Sequence, residues 1–246
     1  MKKIIMALMI IFTQQSFSAE TIKLVAGESF APLMWKDKDS GAPRGIAIEI
    51  GKAILEKAGY TVVVETCPWV RCQVIAENEG AFITGFSTNE ERLKKFVFSD
   101  PTMYDEVVIV TKKGKEFPFH KNEDLKGKRI GSQNGSTFGT RFEELKKIFK
   151  TDFDHADVAR VKKIDADRID AGIFSLGEAG FAYSAKLAGF KPEDFVILPE
   201  LIAKDPNYMA TGMKTPNAKE KIARINAAIK ALTADGTIAR ILKTTY

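Results

Sequence analysis

The segment Phe86-Ser-Thr-Asn-Glu-Glu-Arg-Leu-Lys-Lys-Phe-Val-Phe-Ser-Asp100 combines hydroxyls, acids and an arginine at the spacing of a helix start. Ser87 or Thr88, followed three residues later by Glu90 or Glu91, reads as a capping box in which hydroxyl and carboxylate each satisfy an orphan backbone N–H. Arg92 comes one turn into that helix, where the dipole favours acids over cations. A cation so placed is either a solvated surface charge or half of an anion-binding site. The chain's two cysteines are Cys67 and Cys72. In an oxidising compartment they suit a disulfide from a strand end to the first turn of the next helix; the alternative is two independent thiols. The two histidines, His120 and His155, lie far from the cysteines in sequence with no ligand spacing, so neither a metal nor any other cofactor is expected.

The elements that must position these residues follow an alternating grammar. Strand-like runs at 22–26, 61–65, 82–85 and 106–111 flank a helix with Ile46, Ile50 and Ile54 on one face, ending at Gly59, and a second helix over about 69–79. A second unit starts with the turn Leu125-Lys-Gly-Lys-Arg-Ile-Gly131, then a helix opening at Gly135-Ser-Thr-Phe138 and reaching about 149. Short strands follow at 171–175 and 195–198. The tail carries Ile222, Ile225, Ile229 and Leu232 at helical spacing, a break at Gly236 and a last short helix. This is βαβ order, implying a mostly parallel sheet with helices on both faces. Two α/β units without a flexible linker suit lobes joined by strands, as a hinge requires.

Residues 1–18, beginning Met1-Lys-Lys-Ile-Ile-Met, have the basic start, short apolar run and small-residue exit of a secretory signal peptide, with cleavage expected between Ser18 and Ala19. No cysteine lies near that point and no later run is apolar enough to span a bilayer, so a free periplasmic monomer is expected rather than a membrane-anchored one. Without Lys2 and Lys3 the formal charge falls from +5 to +3, and the remaining lysines are interleaved with acids. A nucleic-acid partner is therefore not expected.

Taken in order, Ser29-Phe-Ala-Pro-Leu33, Ser87-Thr-Asn-Glu-Glu-Arg92, Phe98-Ser-Asp100, Asp124-Leu-Lys-Gly-Lys128, Asn134-Gly-Ser-Thr137, Arg168-Ile-Asp-Ala171 and the Gly236 break resemble the family 3 bacterial extracellular solute-binding proteins, the periplasmic receptors of polar amino acid ABC transporters. The resemblance covers nearly all of the chain after residue 18. It implies a type II periplasmic-binding-protein fold, with residues 19–107 plus 206–246 as lobe 1, residues 108–205 as lobe 2, and a ligand enclosed between them. It implies that Arg92 grips a ligand carboxylate bidentately with a hydrogen bond from Ser87, and that Thr137 meets it from a helix N-terminus across the cleft. By the same resemblance Thr84 contacts ligand and Phe30 covers its side chain, and the bound solute passes to ABC permease subunits. Trp69 and Arg71 belong either to the pocket or, for Trp69, to the core.

Some residues depart from the family pattern. Where many members carry an aspartate for the ligand ammonium, this chain has Ser175, with Glu178 or Asp170 as substitutes. Gly27 stands where receptors for basic amino acids carry an acid, and Gly45-Ile-Ala-Ile-Glu-Ile50 replaces Gly-Phe-Asp-x-Asp-Leu. The ligand is therefore expected to be a small carboxylate, neither lysine nor arginine, with no strong need for an amine. The chain is expected not to be an enzyme. The alternatives are a periplasmic dehydratase of the cyclohexadienyl type, which would need a carboxyl group in the cleft, and a stand-alone sensory binding domain.

Overall fold

The computed structural model describes residues 19–243, so the leader reading lies outside the described residues. The first lobe is a parallel arrangement of β1 (Thr21–Gly27) between β5 (Thr61–Cys67) and β6 (Phe82–Phe86). A small antiparallel sheet, β2 (Ser29–Phe30), β3 (Met34–Lys36) and β4 (Pro43–Arg44), precedes the first helix. Helix α1 (Ile46–Lys57) buries Ile46, Ile50 and Ile54, the face read from their spacing, and ends before Gly59. Helix α2 (Trp69–Asn78) starts after Pro68, and the Cys67–Cys72 disulfide ties its first turn to the end of β5 with the Cα atoms 5.6 Å apart. β6 is buried on both faces and β1 nearly so, as parallel strands between helices require, while the edge strand β5 leaves Thr61 and Val63 exposed.

The strand expected at 106–111 is the last third of a far longer one. β7 runs Phe96–Lys112 and crosses from one lobe into the other. Its first part pairs antiparallel with β12 (Ala203–Gly212), from Phe96 opposite Gly212 to Val107 opposite Ala203. Beyond Val107 it pairs instead with β10 (Ala171–Phe174) and with β11 (Phe195–Ile197). The second lobe is completed by β8 (Arg129–Gln133) between β10 and β9 (Lys150–Asp154), both parallel to it. One sheet in the order β5-β1-β6-β12-β7-β10-β8-β9 thus runs through both lobes, joined at the β7–β12 ladder. Alternate residues of β7 feed different layers: Val107 and Ile109 pack with Phe119, Phe142 and Leu198, while Val108 and Val110 pack with Val161, Phe181 and Ala185.

Two helix starts differ from the sequence reading. Helix α3 (Glu90–Leu93) is capped by neither Ser87 nor Thr88: Asn89 Oδ1 accepts the Arg92 N–H at 2.8 Å, since it sits one residue before the helix in extended backbone. Helix α4 spans Gly139–Leu145, starting four residues after Gly135, so Thr137 belongs to the preceding loop. Helices α5 (Asp157–Asp165) and α6 (Gly177–Leu187) flank the second lobe. Helices α7 (Ala218–Ala234) and α8 (Thr237–Ile241) return to the first lobe, separated at Gly236. Among the described residues no helix is long and apolar enough to cross a membrane, and no cluster of side chains could hold a metal ion.

Candidate functional site

The lobes meet around a small cavity lined by Phe30, Trp69, Ser87, Arg92, Thr137 and Ser175, six residues singled out from sequence, together with Asp105, Ser136 and Asn207. It encloses ≈ 20 Å³ of free space, about the room of one water. Two hydrogen bonds close it from the first lobe: Arg92 Nη2 donates to the Gly135 carbonyl at 2.9 Å and Gln73 Nε2 to the same oxygen at 3.2 Å. Gly135 therefore meets the arginine through its carbonyl. With φ of +75° and no side chain, it can lie against α2.

Arg92 is 5% exposed, so the surface-charge alternative falls. Its guanidinium lies 4.0 Å from the Phe86 ring centroid and donates to Ser87 O at 2.8 Å and Gln73 Oε1 at 3.2 Å. All the oxygens it bonds among the described residues are uncharged. Burial pulls its pKa down to about 9, opposed by the field of Asp205, which leaves it cationic at neutral pH. Arg160 on α5 is a contrast. Equally buried, it is paired with Asp154 at 2.6 Å and Asp157 at 2.7 Å, and it serves the fold.

Ser87 hydrogen-bonds through Oγ to Asp205, and Thr137 through Oγ1 to Glu143. Phe30 packs edge-on against Trp69 with centroids 5.8 Å apart, so Trp69 is both core and cavity wall. Thr84 does not join them. Its hydroxyl is turned to α1 and donates to Ala47 O at 2.9 Å. Arg71 is exposed on the outer side of α2, and Glu178 is exposed on α6, away from the cavity. Asp170 accepts the Arg129 N–H at 2.7 Å and is structural.

Sequence reading missed Asp105 and Asp205. They face each other across the β7–β12 ladder, and both are buried. Asp105 Oδ1 accepts the Leu176 N–H at 2.6 Å, and the Ser175 hydroxyl also bonds to this carboxyl. Burial raises the pKa of Asp105. Asp205 is raised to about 7 by burial, with the charge of Asp105 adding to the shift and the Ser87 hydrogen bond and Arg92 opposing it. The available signal was a period-two slot: Met103, Asp105 and Val107 alternate on one face of β7, and an acid occupies the middle buried position.

This geometry agrees with the sequence comparisons. The profile of the bacterial extracellular solute-binding proteins, family 3, matches residues 22–245. An arginine-binding extracellular protein of Bacillus subtilis is 28% identical, over 90% of this chain and 85% of its own. An ABC transporter arginine-binding protein of Escherichia coli is 28% identical, over 98% and 97%. The solved structure of an ancestral arginine-binding protein bound to arginine superposes with a TM-score of 0.75 at 26% identity, over 90% of this chain and 96% of that one. With its two α/β lobes, strand hinge and buried arginine, the chain belongs to the bacterial extracellular solute-binding proteins, family 3.

Proposed function

We propose that the protein captures a small carboxylate-bearing solute, an amino acid or a close relative, between its lobes in the periplasm and delivers it to an ABC permease. The observation that carries this reading is Arg92, a buried cation whose partners are all neutral. A buried unpaired charge is costly, and an arginine fork offers a carboxylate two parallel hydrogen bonds. The relatives' names add amino acids and ABC transport to that chemistry. Arginine itself fits this chain poorly. Position 27 carries no acid, and a Cβ there would lie 3.1 Å from the Phe30 ring and 3.4 Å from Trp69. The test is a thermal-shift screen of L-amino acids and small carboxylates on the purified protein, since a ligand that binds the folded state raises its melting temperature. Amino acids with small uncharged side chains are expected to give the largest shifts; shifts largest with arginine or lysine would overturn the ligand class.

The dehydratase alternative gains one observation. Asp205, with its pKa near 7, is a carboxyl group in the range suited to a general acid. Mass spectrometry of the recovered ligand separates the two: return unchanged supports a receptor, and loss of water an enzyme.

A further inference from the structure

The cavity is polar in a directional way. Its donor-only groups lie on the first-lobe side: the Arg92 guanidinium, and the indole N–H of Trp69, a residue 6% exposed whose Nε1 has no partner among the described residues; the Ser136 hydroxyl, also without a partner there, lines it from the second lobe. Its carboxyl group is Asp105 at the hinge, with Asp205 directly opposite on the adjacent antiparallel strand. Residues opposite in such a ladder project from the same face, so the two carboxyl groups are neighbours. No lysine or arginine forms a salt bridge with either among the described residues. Asp205 meets Ser87 and, at 3.4 Å, the Asn207 amide; Asp105 meets the Leu176 N–H and the Ser175 hydroxyl.

Like charges directly opposite in a ladder are destabilising, and buried acids want a partner. Ser175 stands where the family resemblance puts the ammonium partner, yet its hydroxyl leads to Asp105. The expectation of a site without a counter-charge considered position 175 alone, whereas the hinge strands place two buried carboxyl groups at the cavity's edge. We propose that Asp105, backed by Asp205, binds the ligand's ammonium group, so that the protein selects zwitterionic amino acids over the corresponding simple carboxylates. This rests on the receptor reading above and assigns the amine end of the same site. Trp69 and Arg92 then take the carboxylate, whose oxygens suit donor-only groups.

The experiment pairs amino acids with their deaminated acids: L-alanine with propionate, L-glutamine with glutaramate and L-phenylalanine with 3-phenylpropionate. Thermal shift ranks the pairs and calorimetry gives Kd for the best one. For the unaltered protein, amine removal is expected to weaken binding by about 30-fold or more, the range for stripping one partner from a buried charge pair. Asp105→Asn keeps an oxygen for the Leu176 N–H while removing the charge, and is expected to shrink that ratio to less than about tenfold. A deaminated acid that binds within about threefold of its amino acid overturns the counter-charge while Arg92-dependent carboxylate capture stands. An amine preference that Asp105→Asn and Asp205→Asn both leave intact also overturns it. If neither series binds, the receptor reading falls and the proposal with it. The analogue comparison requires no variant to fold.

Discussion

Arg92 and Asp205 are both buried ionisable groups, and each gives a prediction that isolates one side chain. Arg92→Ala removes a cation held only by neutral oxygens and a ring face. The fold should survive, because the variant buries no new charge. Affinity for the carboxylate ligand should drop by about 30-fold or more, and calorimetry showing a change under about threefold would discard the assignment. For Asp205 the sign runs the other way from a salt-bridged acid. Its folded pKa of about 7 lies above the ordinary aspartate value of 3.8, so the folded state binds its proton more tightly than the unfolded chain does. This group's contribution to stability is thus greatest below the lower value and is lost as pH rises through the interval between them. Ligand-free protein should gain melting temperature on acidification from about pH 7.5 to 5.5, relative to Asp205→Asn. Parallel pH profiles for the two proteins would refute the shift.

At the scale of elements, the disulfide joins β5 to α2 just ahead of Trp69, and it closes a short loop. Loop-entropy arguments give such a bridge about 2 kcal/mol, which in a chain of this size is a fall of about 4–8 °C in melting temperature on reduction. Intact-mass analysis after alkylation should find no free thiols in the native protein; free thiols would refute the bridge. That bridge, α1, α2 and the parallel strands were legible because their signals are local: an isoleucine face, a proline start, apolar runs. The ladder that joins the lobes was not. β12 reads Ala-Lys-Asp-Pro-Asn-Tyr-Met-Ala-Thr-Gly and β7 carries Pro101 and Asp105, so polar and proline residues obscure strands whose pairing is settled by partners about a hundred residues away. The same blind spot hid the acids. Arg92, Ser87, Thr137, Phe30 and Ser175 were found through a family pattern, whereas Asp105 and Asp205 become visible only when two distant strands are laid side by side. Thr84 shows the opposite gap: the resemblance placed it beside the site, and the sequence could not show its hydroxyl turned to Ala47.

For the whole molecule, the proposed capture of a solute requires the lobes to part and close again, since the cavity as it stands has about the room of one water. Closure brings the Gly135 peptide against α2, where Arg92 and Gln73 both donate to its carbonyl. A methyl group at position 135 would lie 2.8 Å from Val70 Cγ2 and 3.3 Å from Gln73 Nε2, in a backbone conformation of φ +75° that L-residues disfavour. The backbone cost of roughly 1–2 kcal/mol applies whether the cleft is open or closed, but the clash with Val70 arises only on closing. Gly135→Ala should therefore lose a modest amount of stability and, separately, about tenfold or more in ligand affinity. Small-angle scattering should show a smaller ligand-induced contraction than in the unaltered protein. Because the obstructing atom is a side-chain methyl, adding Val70→Ala should restore much of the affinity while leaving the stability loss in place. Affinity that stays low in the double variant would place the obstruction in the backbone of Gly135, and unchanged affinity in Gly135→Ala itself would mean that closure on the ligand does not bring this peptide to α2.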